Sequence, residues 1–106
     1  MAFKICEVDA DHPELDGDYG ACSYKDYTIF VRQGMPTDLL INTLVHEAQH
    51  MLWEHGGMAD LMAKELGIDR KDESLAKFEE LWIQFQTPHL ISIVESVSGI
   101  IECDHV

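Results

Sequence analysis

Three side chains within five residues could do chemistry together. In "LVHEAQHMLWEHGG" (44 to 57), His46 and His50 stand four apart with Glu47 directly after the first. On a helix, positions i and i+4 project from one face about 6 Å apart along the axis. Two imidazoles so placed can reach one ion at roughly 2.0–2.1 Å. Glu47 is rotated by about 100° from His46 and does not easily join the same coordination shell. It can instead reach a water in the open position and take its proton as that water attacks a carbonyl. This is the HExxH logic of zinc hydrolases, so the expected cofactor is Zn2+.

The surroundings favour a metal over an ordinary polar face. Leu44 and Val45 precede the motif, and Met51, Leu52 and Trp53 follow it, so the site is expected to be partly buried. Burying two histidines and a glutamate without a partner ion is costly. Catalytic zinc commonly has a third protein ligand. The three-histidine form HExxHxxGxxH fails here: Trp53 fills the glycine position, Gly56 fills the third histidine position, and His55 is one residue early. A carboxylate from a later helix is the other solution, with Glu65, Glu73, Glu79, Glu80 and Glu95 as candidates.

These residues need a scaffold. The chain has 106 residues, enough for one domain (1–106), and is 46% hydrophobic, enough for a core. "FKICEVDA" (3 to 10) alternates and predicts a strand. The Asp-, Pro- and Gly-rich "DADHPELDGDYG" predicts a loop. "ACSYKDYTIFVRQG" predicts two strands around a turn at Lys25–Asp26, with Tyr27 to Val31 the stronger. A small sheet of about three antiparallel strands is expected. "GMPTDLLINTLVHEAQHMLWEHGG" is the clearest helix, with Thr37 as N-cap, Gly56–Gly57 as stop, and Leu40, Leu44, Ala48, Met51 and Leu52 facing the core. "MADLMAKELGI" predicts a shorter helix closed by Gly67. "DESLAKFEELWIQFQ" predicts another, capped by Asp72, with Leu75, Phe78, Trp82 and Phe85 on its inner face. Thr87–Pro88 should end it and begin a further helix whose stripe is Leu90, Ile93, Val94 and Val97. The tail "CDHV" is expected to be loose. The fold class is therefore α+β.

In order and pattern, residues 17 to 90 resemble the small zincin-like metallopeptidase domains of bacteriophages and bacteria, distantly similar to ImmA/IrrE and SprT-like minigluzincins. The resemblance is carried by "GDYGACSYKDYTIFV", "LINTLVHEAQHMLW" and "DESLAKFEELWIQFQTPHL", with HExxH the one sharp motif. It implies a short sheet before the motif helix and a ligand from the next helix. Its phage members open that helix with a Glu followed by an aliphatic and a hydrophobic residue, which "ESLAKF" matches, so the resemblance implies Glu73 as third ligand. Periodicity pulls the other way: Glu73 points away from the Leu75/Phe78/Trp82 face, whereas Glu79 flanks it.

The remaining features bound the role. Twenty acids against 7 bases give a formal charge of -13, which repels nucleic acid and anionic membrane and suits metal ions or a basic peptide or protein substrate. Cys6, Cys22 and Cys103 form no CxxC pair, which fits a reducing, cytoplasmic setting (a host cytoplasm for a phage protein). The start lacks a signal-peptide run, and no stretch approaches the roughly 18 apolar residues of a membrane span. Cys22 is read as a small core residue, and His89 and His105 as surface residues. Asp38 and Asn42 are read as capping or solvated. Tyr19, Tyr24 and Tyr27 are half-buried packing residues, one of which could stabilise an oxyanion. The strand from Tyr27 to Val31 could offer an edge to an extended peptide. The leading expectation is a zinc metallopeptidase with Glu47 as general base. The alternatives are an acidic zinc-containing protein that occupies a basic surface on a host protein, and a hydrolase of non-peptide amides or esters.

Overall fold

The computed structural model describes residues 3–104, with side chains as far as Ser96. The side chains of Val97 and Cys103, and all of His105 and Val106, lie outside what it describes. The fold is α+β: β1 (Lys4–Val8), β2 (Gly20–Ser23), β3 (Thr28–Arg32), α1 (Thr37–His55), α2 (Met58–Leu66) and α3 (Glu73–Asp104).

The sheet is mixed rather than antiparallel, in the order β1-β3-β2. β1 runs parallel to β3 from Lys4↔Thr28 to Val8↔Arg32, and β2 runs antiparallel to it from Gly20↔Val31 to Ser23↔Thr28. The cause is the long connection after β1, which includes a 3-10 turn at Pro13–Leu15. It carries the chain across one end of the sheet before β2 runs back, and the tight turn at 24–27 then returns β3 between the two. Arg32 fastens the crossing by donating from its guanidinium to the carbonyls of Gly17 and Asp18. β3 is thus the central strand, with Ile29 and Val31 fully buried. The peptide edge expected at Tyr27–Val31 does not exist, because both sides of β3 are paired.

α1 lies on the sheet. Met51 packs with Ile29 and Val31, and Leu40, Leu44 and Ala48 close around them. Leu52, expected in this stripe, is exposed instead. Thr37 is the first helical residue rather than the cap; Pro36 holds the cap position without a side-chain bond. Gly57, at φ +83°, turns the chain sharply from α1 into α2, in a region that side-chain-bearing residues rarely adopt. A second cluster joins Trp53 on α1 to Ala59 and Ala63 on α2 and Leu75 on α3. Asp72 caps α3 as expected, accepting from the Ser74 amide at 2.8 Å.

α3 departs from expectation twice. It runs unbroken through Pro88. Pro88 supplies no N–H to the carbonyl one turn back, but Thr87 beside it is anchored from both sides. Its hydroxyl donates to the Ile83 carbonyl at 2.7 Å and accepts from Gln49 Nε2 of α1 at 2.8 Å. The inner face also differs. Leu75, Ile83 and Thr87 are buried, whereas Phe78, Trp82 and Phe85 are exposed by 41, 43 and 62%. α3 meets α1 with Leu75, Glu79, Ile83 and Thr87 inward. No described helix is long and apolar enough to cross a membrane.

Candidate metal centre

This inward face of α3 meets the motif on α1. His46 and His50 project from the middle of α1, and Glu79 and Glu80 project toward them from the second turn of α3. The two Nε2 atoms are 3.2 Å apart. Glu80 closes the triangle, with Oε1 3.3 Å from His46 Nε2 and Oε2 3.1 Å from His50 Nε2. A tetrahedral ion bound at roughly 2.0–2.1 Å sets its ligands about 3.3–3.4 Å apart, so the three donors already stand at nearly the right separation. One ligand atom from each lies within 4.8 Å of the others, and the group could hold a metal ion.

A carboxylate stands behind His50. His50 Nδ1 donates to Glu79 Oε2 at 2.6 Å, with both side chains largely buried. In the neutral imidazole that bond leaves the lone pair on Nε2, facing the triangle, the usual arrangement for a metal-binding imidazole. The adjacent acids thus differ in position: Glu80 could complete a donor set with the two histidines, and Glu79 bonds to His50 from behind.

Glu47 points elsewhere, toward β2. Its Oε2 accepts from the Cys22 thiol at 3.1 Å, and the same sulfur lies 3.1 Å from the Glu47 main-chain oxygen. Burial, and then the hydrogen bond to and charge of Glu47, push the Cys22 thiol well above its ordinary range. It therefore stays a neutral S–H donor. Tyr24 is raised in the same way, by burial first and then by Cys22 and Glu79 ahead of Glu54 and Glu47, so its phenol stays protonated. Gly20 lets the strand approach this closely. A Cβ there would sit 2.5 Å from Thr43 Cγ2 and 3.2 Å from Glu47 Cγ.

Two adjoining clefts open over these groups. One, of about 330 Å³, is lined by Tyr19, Asn42 and Thr43; the other, of about 310 Å³, by Ala21, Cys22, Tyr24 and His50. Both include Asp18, Gly20, His46, Glu47 and Glu80. Together they form an acidic trough along β2, whose far edge pairs with no described strand.

His46 and His50 stand together in the group, and Glu47, beside them on α1, is turned toward Cys22 of β2. Glu73 is not part of the group. It is the exposed first residue of α3, seven positions before Glu80 and so roughly 10 Å away along the axis. Glu65 on α2 and Glu95 on α3 are exposed. His55 serves the scaffold instead. Its Nε2 donates to the Tyr24 carbonyl at 2.6 Å and its ring stacks on Tyr27, tying α1 to the hairpin turn. Tyr19 carries the Arg32 guanidinium over its ring, and of the three tyrosines Tyr24 reaches the second cleft beside His50. Cys22 packs against the sheet cluster, as its type suggests, but it also bonds to Glu47. No single residue marks that bond in the sequence. The Glu79–Glu80 pair did carry a signal: with Ile83 and Thr87 it shares one helical face.

Compared with known proteins, the chain matches no family model, no curated protein and no solved structure.

Proposed function

We propose that the protein is a zinc-dependent hydrolase of peptide bonds. One observation carries the reading: three metal-ligating atoms form a triangle of about the size a tetrahedral ion needs, and a fourth polar group, Glu47, stands beside it without joining it. His46, His50 and Glu80 would hold the ion, with Glu79 keeping His50 in the ligating tautomer. Zinc, when bound, supplies a Lewis acid that polarises a carbonyl and acidifies water. Glu47 accepts the proton of the attacking water and passes it to the departing amine. The Cys22 S–H aims that carboxylate while leaving its other oxygen free. Tyr24, kept protonated, can donate to the oxygen on which negative charge develops.

The trough supports a basic, extended peptide as the substrate class. A strand edge with no partner among the described residues, beside the site, offers main-chain hydrogen bonds to an extended peptide, with β2 in the role the sequence had suggested for β3. Asp18, Glu47 and Glu80 line both clefts, and the chain carries -13, so basic peptides are favoured. Glu47→Gln tests the mechanism. Zinc content should stay at wild-type level while cleavage of a basic peptide library falls by about 10²–10⁴-fold. Undiminished cleavage by the variant overturns the role of Glu47. A wild-type protein that binds basic proteins salt-sensitively without turnover would favour an acidic binding protein instead.

A further inference from the structure

α3 carries a second surface that no part of the metal centre uses. The rings of Phe78, Trp82, Phe85 and His89 follow one another along it, with centroids 6.3, 6.1 and 5.1 Å apart. Beside this ridge lies an apolar groove of about 330 Å³ between α1 and α3, lined by Leu52, Trp53, Met58, Trp82 and Leu90 among others. None of the groove's lining residues lines the acidic trough.

We propose that this face is the contact between two copies of the chain, paired about a two-fold axis that runs beside α3, along its exposed face. The first argument is area. Leu52, Met58, Phe78, Leu81, Trp82 and Phe85 are 41–67% exposed, and Ile93, further along α3, is 59% exposed. With aromatic side chains of 150–250 Å² each, the patch amounts to on the order of 700 Å². That exceeds the roughly 300–600 Å² of the largest patch on a typical monomer and approaches the roughly 800 Å² each partner contributes to a standard interface.

The second argument is charge. Residues 81–94 include no Asp, Glu, Lys or Arg, in a chain that is 25% charged. A basic partner would be drawn to acids, and this stretch has none. A lipid surface would be held by lysines or arginines at the rim, and neither residue occurs after Lys77. A second copy needs neither kind of charge. Two chains of charge -13 approach with least repulsion through the stretch that carries none.

The third argument is shape. A ridge directly beside a groove is self-complementary: a two-fold places the Phe85 ridge of each copy in the groove of the other, the isologous arrangement of cyclic dimers.

Sedimentation of the full chain, without added metal, from low micromolar to several hundred micromolar, tests this. The expected mass moves from 12.1 kDa toward twice that value as concentration rises. Phe85→Glu and Trp82→Glu should each raise the dimer dissociation constant by at least roughly 100-fold, since a central aromatic is lost twice per dimer. Ile5→Glu, an exposed apolar position on β1, should leave it unchanged. A second readout guards against misfolding. Tryptophan emission, in which the buried Trp53 gives a constant background and Trp82 the variable part, should shift to the red on dilution of the wild type and remain red-shifted at all concentrations in folded Phe85→Glu. A wild type that stays at 12.1 kDa throughout overturns the proposal, as does a dimer that tolerates both α3 variants or is lost equally in Ile5→Glu.

Discussion

Replacing Glu80 by Ala separates this metal centre from the one the helix-opening pattern implies. Glu80 is the carboxylate whose oxygens lie 3.3 and 3.1 Å from the His46 and His50 Nε2 atoms. Glu79 acts one step back, through His50 Nδ1. Loss of such a supporting carboxylate costs about 10–100-fold in metal affinity, so Glu79→Gln should cost that much. Removing a direct donor should cost more, at least about 100-fold, or about 2.7 kcal/mol. The consequence can be read as thermal stability. Zinc at 100 times the wild-type Kd stabilises the folded chain by about 2.7 kcal/mol. For a domain near this size, 1 kcal/mol moves Tm by about 4–8 °C, so zinc should raise the wild-type Tm by about 11–22 °C. At the same free zinc, Glu80→Ala sits at or below its own Kd, gains at most about 0.4 kcal/mol, and shifts by no more than about 3 °C. Glu79→Gln should fall between. Glu73→Ala, two turns away, should keep the full wild-type shift. Differential scanning calorimetry in chelator-buffered zinc, with elemental analysis of each variant, makes the measurement. A Glu80→Ala protein with a full zinc shift, or a Glu73→Ala protein without one, would refute the assignment.

Two further predictions concern the approach of β2 to the site. Gly20→Ala drives a methyl group to 2.5 Å from Thr43 Cγ2, so it should destabilise the fold by about 1–3 kcal/mol in urea denaturation; Thr43→Ser, which deletes that methyl, should recover part of the loss. The second is alkaline destabilisation. Cys22 has a folded-state pKa raised above its ordinary 9.0, so between the two values the native state holds a proton the unfolded chain has released. Stability from this group is complete below pH 9 and falls as pH rises further, and Cys22→Ala should flatten that part of the urea midpoint against pH profile; an unchanged profile would remove Cys22 as the cause.

What the sequence disclosed and what it concealed have one physical origin. The motif on α1 was legible because its chemistry is local: two ligands one turn apart on one helix require no knowledge of the fold. The strands were legible from their β-prone runs, but the direction of β1 was not. It depends on a connection that crosses the end of the sheet, and no local periodicity records that crossing. The face of α3 was misread for a more instructive reason. An aromatic stripe of Phe78, Trp82 and Phe85 normally marks the inside of a helix, and acids such as Glu79 and Glu80 the outside. Here α3 packs on a helix whose contact face carries two histidines, and burying imidazoles against aromatics would leave Nδ1 of His50 without an acceptor. Glu79 goes in beside His50, between the buried Leu75 and Ile83, while Glu80 stays half-exposed at the rim of the trough. The aromatics are then turned out, where they cost solubility unless something covers them. One rotation of α3 therefore both brings Glu79 and Glu80 to the histidines and leaves the aromatic ridge exposed. A helix that turns its aromatic stripe away from its neighbour is itself the sign that the neighbour presents a polar site.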